Sequence, residues 1–164
     1  MSTATTTVNV LSAEDLLKNW QGHRALTRRT IEAFPEDKLF SFSLGGMRPF
    51  SELATEFIRM AVPIVDGVAT GKWSEFGAGA NPEAKPTTKA EILALWDAQT
   101  KELDQKFPTI PPHRFTEVDK AFGQWEMSGI AMIQYAIDNE IHHRGQGFVY
   151  LRTLGIEPPH FWER

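Results

Sequence analysis

The chain has 164 residues, 41% of them hydrophobic and 23% charged, with a net charge of −4 and no cysteine. That length and apolar content suffice for one domain with a core of its own, without disulfide or metal staples. The absence of cysteine excludes disulfides, thiolate metal sites and cysteine nucleophiles, and the acidic balance argues against a nucleic-acid partner. Arg28-Arg29 is the sole adjacent Lys/Arg pair, expected on a solvated helix face. The Thr-rich first ten residues lack the basic and apolar regions of a signal peptide, and no apolar run reaches membrane-spanning length, so a cytoplasmic protein without membrane contact is expected.

In chain order, residues 1–11 read as a flexible lead and 12–164 as a single domain. Ser12 is an N-cap with Asp15 three residues on, and Leu16, Trp20, Thr27, Ile31 and Phe34 recur at helical spacing. Helix one is therefore expected to run to Phe34, where Pro35 ends it. The stretch Glu36 to Pro49 holds Gly45-Gly46 and reads as a loop. A second helix starts near Pro49 with the stripe Leu53, Phe57, Ala61, Ile64 and Val68, and Pro63 inside it predicts a kink. Residues 71–87 read as a long loop, able to border a functional cleft. Thr88 and Glu91 form a capping box for a third helix carrying Ile92, Trp96 and Leu103, ending near Phe107. After Pro108, Pro111 and Pro112, a last helix is expected to begin between Gln124 and Ser128 and to end at Leu154, with Gly155 as its C′ residue. No strand-type alternation stands out. The last helix is apolar on most sides, with Ile130, Ile137, Ile141 and Phe148 on one stripe and Met132, Ala136 and Tyr150 on another. A helix of this kind is buried between others, so an all-α four-helix bundle is expected.

Polar side chains on such a helix are candidates for chemistry. Asn139 and His143 are four residues apart and, at about 100° per residue, share the face of Met132, Ala136 and Tyr150. Two donors at i and i+4 are how one helix offers a metal two bonds. His142 points elsewhere, toward the face of Tyr135 and Gln146, and Glu140 with Arg144 reads as an exposed helix pair of small stabilising value. The partner across the cleft is expected to be Glu56, at the edge of the second helix's apolar stripe. His23, on the apolar face of helix one, is the runner-up, and a satisfied core histidine is the simpler reading of it. A carboxylate, an imidazole and an amide oxygen suit a borderline divalent metal. The same residues also suit a hydrogen-bonded cluster with no metal.

The segment His142-His143-Arg144-Gly145-Gln146, followed by Tyr150-Leu151-Arg152, Leu154-Gly155 and Pro158-Pro159, resembles the C-terminal signature of the DinB/YfiT-like superfamily of damage-inducible proteins. Phe34-Pro35-Glu36-Asp37-Lys38-Leu39 and Arg48-Pro49-Phe50-Ser51-Glu52-Leu53 are similar to that family's first-helix exit and second-helix start. The resemblance implies a four-helix bundle, commonly a homodimer, with a divalent metal held in a cleft by three histidines, and zinc, nickel or manganese would suit. Carried onto this chain, the three positions fall on Glu56, Asn139 and His143, and only His143 keeps the family residue. Some relatives are thiol S-transferases, and others hydrolases or isomerases. The resemblance therefore implies a metal-dependent enzyme acting on a small molecule. The alternative is a non-catalytic ligand-binding or stress-response dimer with a degenerate metal site.

Overall fold

The computed structural model describes residues 10–75 and 85–164. Helix α1, Ala13–Ala33, starts from the expected capping box: the Ser12 hydroxyl accepts from the Asp15 amide at 3.0 Å, and the Asp15 carboxylate accepts from the Ser12 amide at 3.4 Å. The segment read as a loop after Pro35 instead contains a short helix, α2, Glu36–Ser41. Two acidic residues in its first turn favour it, and burial of Leu39 anchors it. Helix α3, Phe50–Thr70, follows Pro49, runs through Pro63 and ends on Gly71 at φ 70°, a left-handed conformation suited to glycine. Helix α4, Lys89–Lys106, carries the Thr88/Glu91 capping box.

Two 3-10 turns, Phe107–Thr109 and Pro112–Phe115, lead into an antiparallel hairpin of β1, Val118–Ala121, and β2, Trp125–Ser128, with Val118 opposite Ser128 and Ala121 opposite Trp125. The hairpin corrects two expectations, that strands are absent and that the last helix starts as early as Gln124. Its strands have four residues each, too few for an alternation to register. Helix α5, Gly129–Thr153, starts from Ser128. It ends in a Schellman motif: Gly155 at φ 76° donates to Arg152, and Ile156 donates to Leu151. No helix among the described residues is long and apolar enough to cross a membrane.

The four long helices pack so that α1 and α3 each lie against both α4 and α5. The stripes expected on α1, α3 and α4 are buried. The apolar interior forms two clusters along the helices. One gathers Trp20, Ile64, Val68, Leu103, Phe107 and Ile133; the other gathers Phe34, Phe50, Phe57, Trp96, Tyr150 and Leu151. Between them on α1 lie buried His23, Arg24 and Thr27, and on α5 buried Glu140 and Arg144.

Glu140 and Arg144 correct the reading of an exposed pair, since Glu140 is 2% and Arg144 5% exposed. Because α5 is enclosed by α1 on one side and α3 on another, its Glu140/Arg144 face meets α1 rather than water. The Glu140 carboxylate accepts from the Thr27 hydroxyl at 2.6 Å and from the Trp20 indole N–H at 3.3 Å, with Arg144 Nη1 3.7 Å away. Arg144 Nη1 donates to Thr27 Oγ1 at 2.9 Å and to the His23 carbonyl at 3.2 Å. Burial pushes the Glu140 carboxyl above its usual range, and Arg24, Thr27, Arg144 and Trp20 oppose that push. Arg24 lies with its guanidinium 4.1 Å from the Trp96 ring centre and donates to Thr100 Oγ1 and the Trp96 carbonyl. Arg28 and Arg29 are only half-buried but are not free: Arg28 grips Asp97 of α4 through two hydrogen bonds, at 2.6 and 2.9 Å, and Arg29 reaches Glu163.

Removing one member of such a cluster leaves the others desolvated without compensation. Glu140→Ala is expected to lower unfolding free energy by about 3–5 kcal/mol in urea denaturation. Glu140→Gln, which retains a carbonyl acceptor for Thr27 or Trp20, is expected to lose less. Equal stability of Glu140→Ala and wild type would refute a structural role for the cluster.

Candidate functional site

The remaining polar pair of α5 faces α3. Close approach of the two helices is set at Gly147, where an added Cβ would lie 2.5 Å from a ring carbon of Phe50, so only glycine fits unless Phe50 moves. Phe50 is itself fixed by stacking on Phe34 at 4.9 Å between ring centres. This contact places the first turns of α3 opposite the middle of α5 and brings Glu56 to Asn139 and His143.

The three residues expected from spacing converge. Glu56 Oε1 accepts from Asn139 Nδ2 at 3.1 Å and lies 3.6 Å from His143 Nε2. The His143 ring packs face to face with Phe57, 6.1 Å between centres, so its side chain is largely withdrawn from water. His143 Nδ1 meets Gln146 Oε1 at 3.2 Å, and Gln146 Nε2 meets His142 Nε2 at 3.3 Å. His142 is exposed and stands off the cluster, as its position on the helix requires. The Asn139 Oδ1 atom is buried and has no hydrogen-bond partner.

Sequence reasoning assigned no role to Arg48. It precedes α3 and puts Nη1 2.6 Å from Glu56 Oε2, a short charge-assisted contact. An arginine just ahead of a helix start whose acid lies two turns on was the available signal, but the irregular 42–49 segment that aims it cannot be read from periodicity. Arg48 and Glu56 form part of the wall of a cleft of about 660 Å³, along with the apolar and aromatic side chains of Phe40, Met60, Phe122 and Tyr135. Phe122 reaches the cleft from the hairpin turn at φ 52°, a conformation that costs a non-glycine residue about 1 kcal/mol and is held by an edge-to-face contact with Trp73, 5.0 Å between ring centres. Of the long loop, Glu75, Lys85 and Pro86 line the cleft as expected, while residues 76–84 lie outside the described residues.

The whole chain, residues 1–164, matches the family model described as the DinB family. The chain belongs to the DinB family. It is 26% identical over 160 residues to the uncharacterised protein YjoA of Bacillus subtilis (strain 168), covering 93% of this chain and 97% of that one. The crystal structure of that DinB-like protein superposes with a TM-score of 0.72 at 19% identity, covering 91% of this chain and 99% of the other. A DinB-like protein from Bacillus cereus ATCC 10987 superposes with a TM-score of 0.65 at 18% identity, covering 91% and 97%. The family-model match establishes the family, and the likeness to the solved structures shows the fold.

The metal implied by the family resemblance can be tested against the donors present. The cluster offers one carboxylate, one imidazole and one amide, and no group of three or more His, Cys, Asp or Glu among the described residues is arranged to hold a metal. Both Glu56 oxygens already meet donors, one of them the Arg48 guanidinium. As arranged, these residues do not fit a resident divalent ion.

His23, the runner-up, belongs to the α1 side of α5 and is buried between two guanidinium groups, of which its neutral ring, with one acceptor nitrogen, accepts from one. Its Nδ1 meets Arg144 Nη2 at 3.1 Å and its Nε2 meets Arg164 Nη1 at 2.9 Å. Burial, and then the charges of Arg144 and Arg164, pull its pKa from 6.5 down to about 4. The folded protein thus keeps His23 neutral where an unfolded chain takes up a proton, so its contribution is complete above pH 6.5 and is lost as pH falls toward 4. Urea midpoints measured from pH 7 to pH 4 are expected to fall more steeply for wild type than for His23→Gln. Parallel slopes would show that His23 is not the group responsible.

Proposed function

We propose that this DinB-family protein binds a small organic molecule carrying an anionic group in the cleft between α3, the hairpin and α5, without a resident divalent metal. The observation that supports this reading is the Arg48–Glu56 ion pair in the wall of a cleft where Phe40, Met60, Phe122 and Tyr135 alternate with the charged Glu52, Arg59, Glu75 and Lys85. Pockets of this kind take the apolar body of a ligand on their side-chain surfaces and fix its orientation with a few polar groups. Arg48 offers donors to a carboxylate or phosphate, and Glu56 accepts from a hydroxyl or amine on the same molecule. The metal-dependent thiol transferase or hydrolase implied by the resemblance is the competing reading, and it requires a metal that this donor set does not suit.

Thermal-shift measurements on untagged protein in EDTA, against small carboxylates, phosphates and thiols, separate the two. A ligand at about 100 times its Kd adds about 2.7 kcal/mol to stability. At least one anionic compound is expected to raise Tm in EDTA, and Glu56→Ala and Arg48→Ala are expected to abolish that rise. A shift, or thiol turnover, that appears only after zinc, nickel or manganese is added would overturn this reading in favour of the metal-dependent one.

The partner we propose for the bundle is a second copy, seated on the outward face of α5. Asp138, Ile141, Gly145, Val149 and Arg152 are exposed there, and the Gly145 Cα opens onto free space. Asp138 and Arg152 stand seven residues either side of Gly145, and Ile141 and Val149 four residues either side. The face is therefore self-complementary about a two-fold axis: antiparallel helices crossing at the glycine place each Asp138 against the partner's Arg152 and each Ile141 against the partner's Val149. In sedimentation velocity, Asp138→Arg is expected to dissociate the dimer and Asp138→Arg with Arg152→Asp to restore it. A wild-type monomer at high micromolar concentration, or a single variant that still dimerises, would disprove the interface.

A further inference from the structure

Two side chains of α5 and one cation meet Glu56 at different oxygens: Asn139 Nδ2 and His143 Nε2 lie at Oε1, and the Arg48 guanidinium lies at Oε2. Glu56, Asn139 and His143 stand on two packed helices, whereas Arg48 reaches in from the segment before α3 with its side chain about half exposed. Gln146 links the two histidines: its Nε2 meets His142 and its Oε1 meets His143 Nδ1. With the amide so oriented, His143 Nδ1 donates to Gln146 Oε1, and its Nε2 lies 3.6 Å from Glu56 Oε1. Behind them the buried Asn139 Oδ1 has no donor at all, and a buried orphan acceptor calls for an explanation. The helices thus gather a carboxylate, an imidazole and an amide, and the charge that the carboxylate calls for is supplied by a guanidinium at 2.6 Å from Glu56 Oε2.

We infer that Arg48 is the resident cation of this site: its guanidinium neutralises Glu56, occupies Oε2 and thereby excludes a divalent metal from the Glu56, Asn139 and His143 cluster. An ion bound to Glu56 would have to displace the guanidinium or lie beside it, against like-charge repulsion. Guanidinium and metal differ in what they permit. A metal ion with open positions accepts lone pairs and activates water or thiol, whereas a guanidinium only donates hydrogen bonds and holds an anion in place. Removing the Arg48 charge frees Glu56 Oε2, and a flip of the Asn139 amide, which preserves its shape, carries Oδ1 to where Nδ2 now stands. The site then presents a carboxylate, an imidazole and an amide oxygen to a cation.

The inference concerns the same site as the proposed ligand but not the ligand itself. The test contains no organic ligand, so its failure and failure of the ligand reading are read separately. Full-length, untagged protein is titrated with zinc chloride and with nickel chloride by calorimetry, for wild type, Arg48→Met, Arg48→Gln and Arg48→Lys, with circular dichroism confirming the fold of each. Arg48→Met and Arg48→Gln are expected to take up one ion with a Kd about tenfold or more below that of wild type, and adding His143→Ala to either is expected to abolish the gain. Arg48→Lys, which keeps the charge, is expected to behave as wild type. Methylguanidinium at millimolar concentration is expected to weaken zinc binding to Arg48→Met and to leave wild type unaffected, a rescue that a merely structural arginine would not show. Wild type binding zinc or nickel as tightly as Arg48→Met overturns the inference, as does a folded Arg48→Met and Arg48→Gln pair with no gain in affinity.

Discussion

Glu140 is enclosed by protein on every side, and the surrounding structure is arranged to keep it so. A carboxyl group at that depth is tolerated only with hydrogen-bond donors and positive charge around it, and α1 supplies them from Trp20, Thr27 and Arg24 while α5 supplies Arg144. The cluster separates the two apolar clusters and sets a constraint that the hydrophobic residues alone do not. Leucine and phenylalanine at these helix faces would accept more than one sliding register of α1 on α5. The hydrogen bonds from Thr27 and Trp20 accept one, because each needs its partner within about 3 Å. Arg24, stacked on Trp96 and bonded to Thr100, carries the same constraint from α1 to α4.

The candidate site depends on that register. Asn139 and His143 adjoin Glu140 and Arg144 in sequence and face α3, so the rotation of α5 that buries Glu140 against α1 also presents Asn139 and His143 to Glu56. Gly147 completes the placement, since only a residue without a side chain lets α5 lie against Phe50. One helix thus carries two polar i,i+4 pairs with different roles. The pair toward α1 is closed, with buried members bonded to α1. The pair toward α3 is open at Glu56, which borders the cleft, and keeps an unsatisfied acceptor at Asn139.

Membership of the DinB family accounts for the helical framework. The Glu56 carboxylate needs a counter-charge, and Arg48 provides one from outside the helices. The hairpin adds Phe122 to the far wall of the cleft at some backbone cost, so part of the pocket is built from a segment that contributes little to the core.

Legible in the sequence were the four long helices, their caps at Ser12 and Thr88, the stop at Gly155 and the shared face of Asn139 and His143. Those features follow from local geometry: helical periodicity, capping chemistry and the i,i+4 stacking of side chains are written within a few residues of one another. The short helix at Glu36–Ser41 and the hairpin at Val118–Ser128 were not legible, because four to six residues are too few for a period to show. The tertiary structure alone decided that Glu140 and Arg144 are buried rather than exposed, since an i,i+4 acid–base pair looks the same in sequence whether water or another helix lies over it. It also decided that Arg48 meets Glu56, because that contact depends on the path of an irregular segment, and the direction of such a segment is set by what it packs against rather than by its own residues.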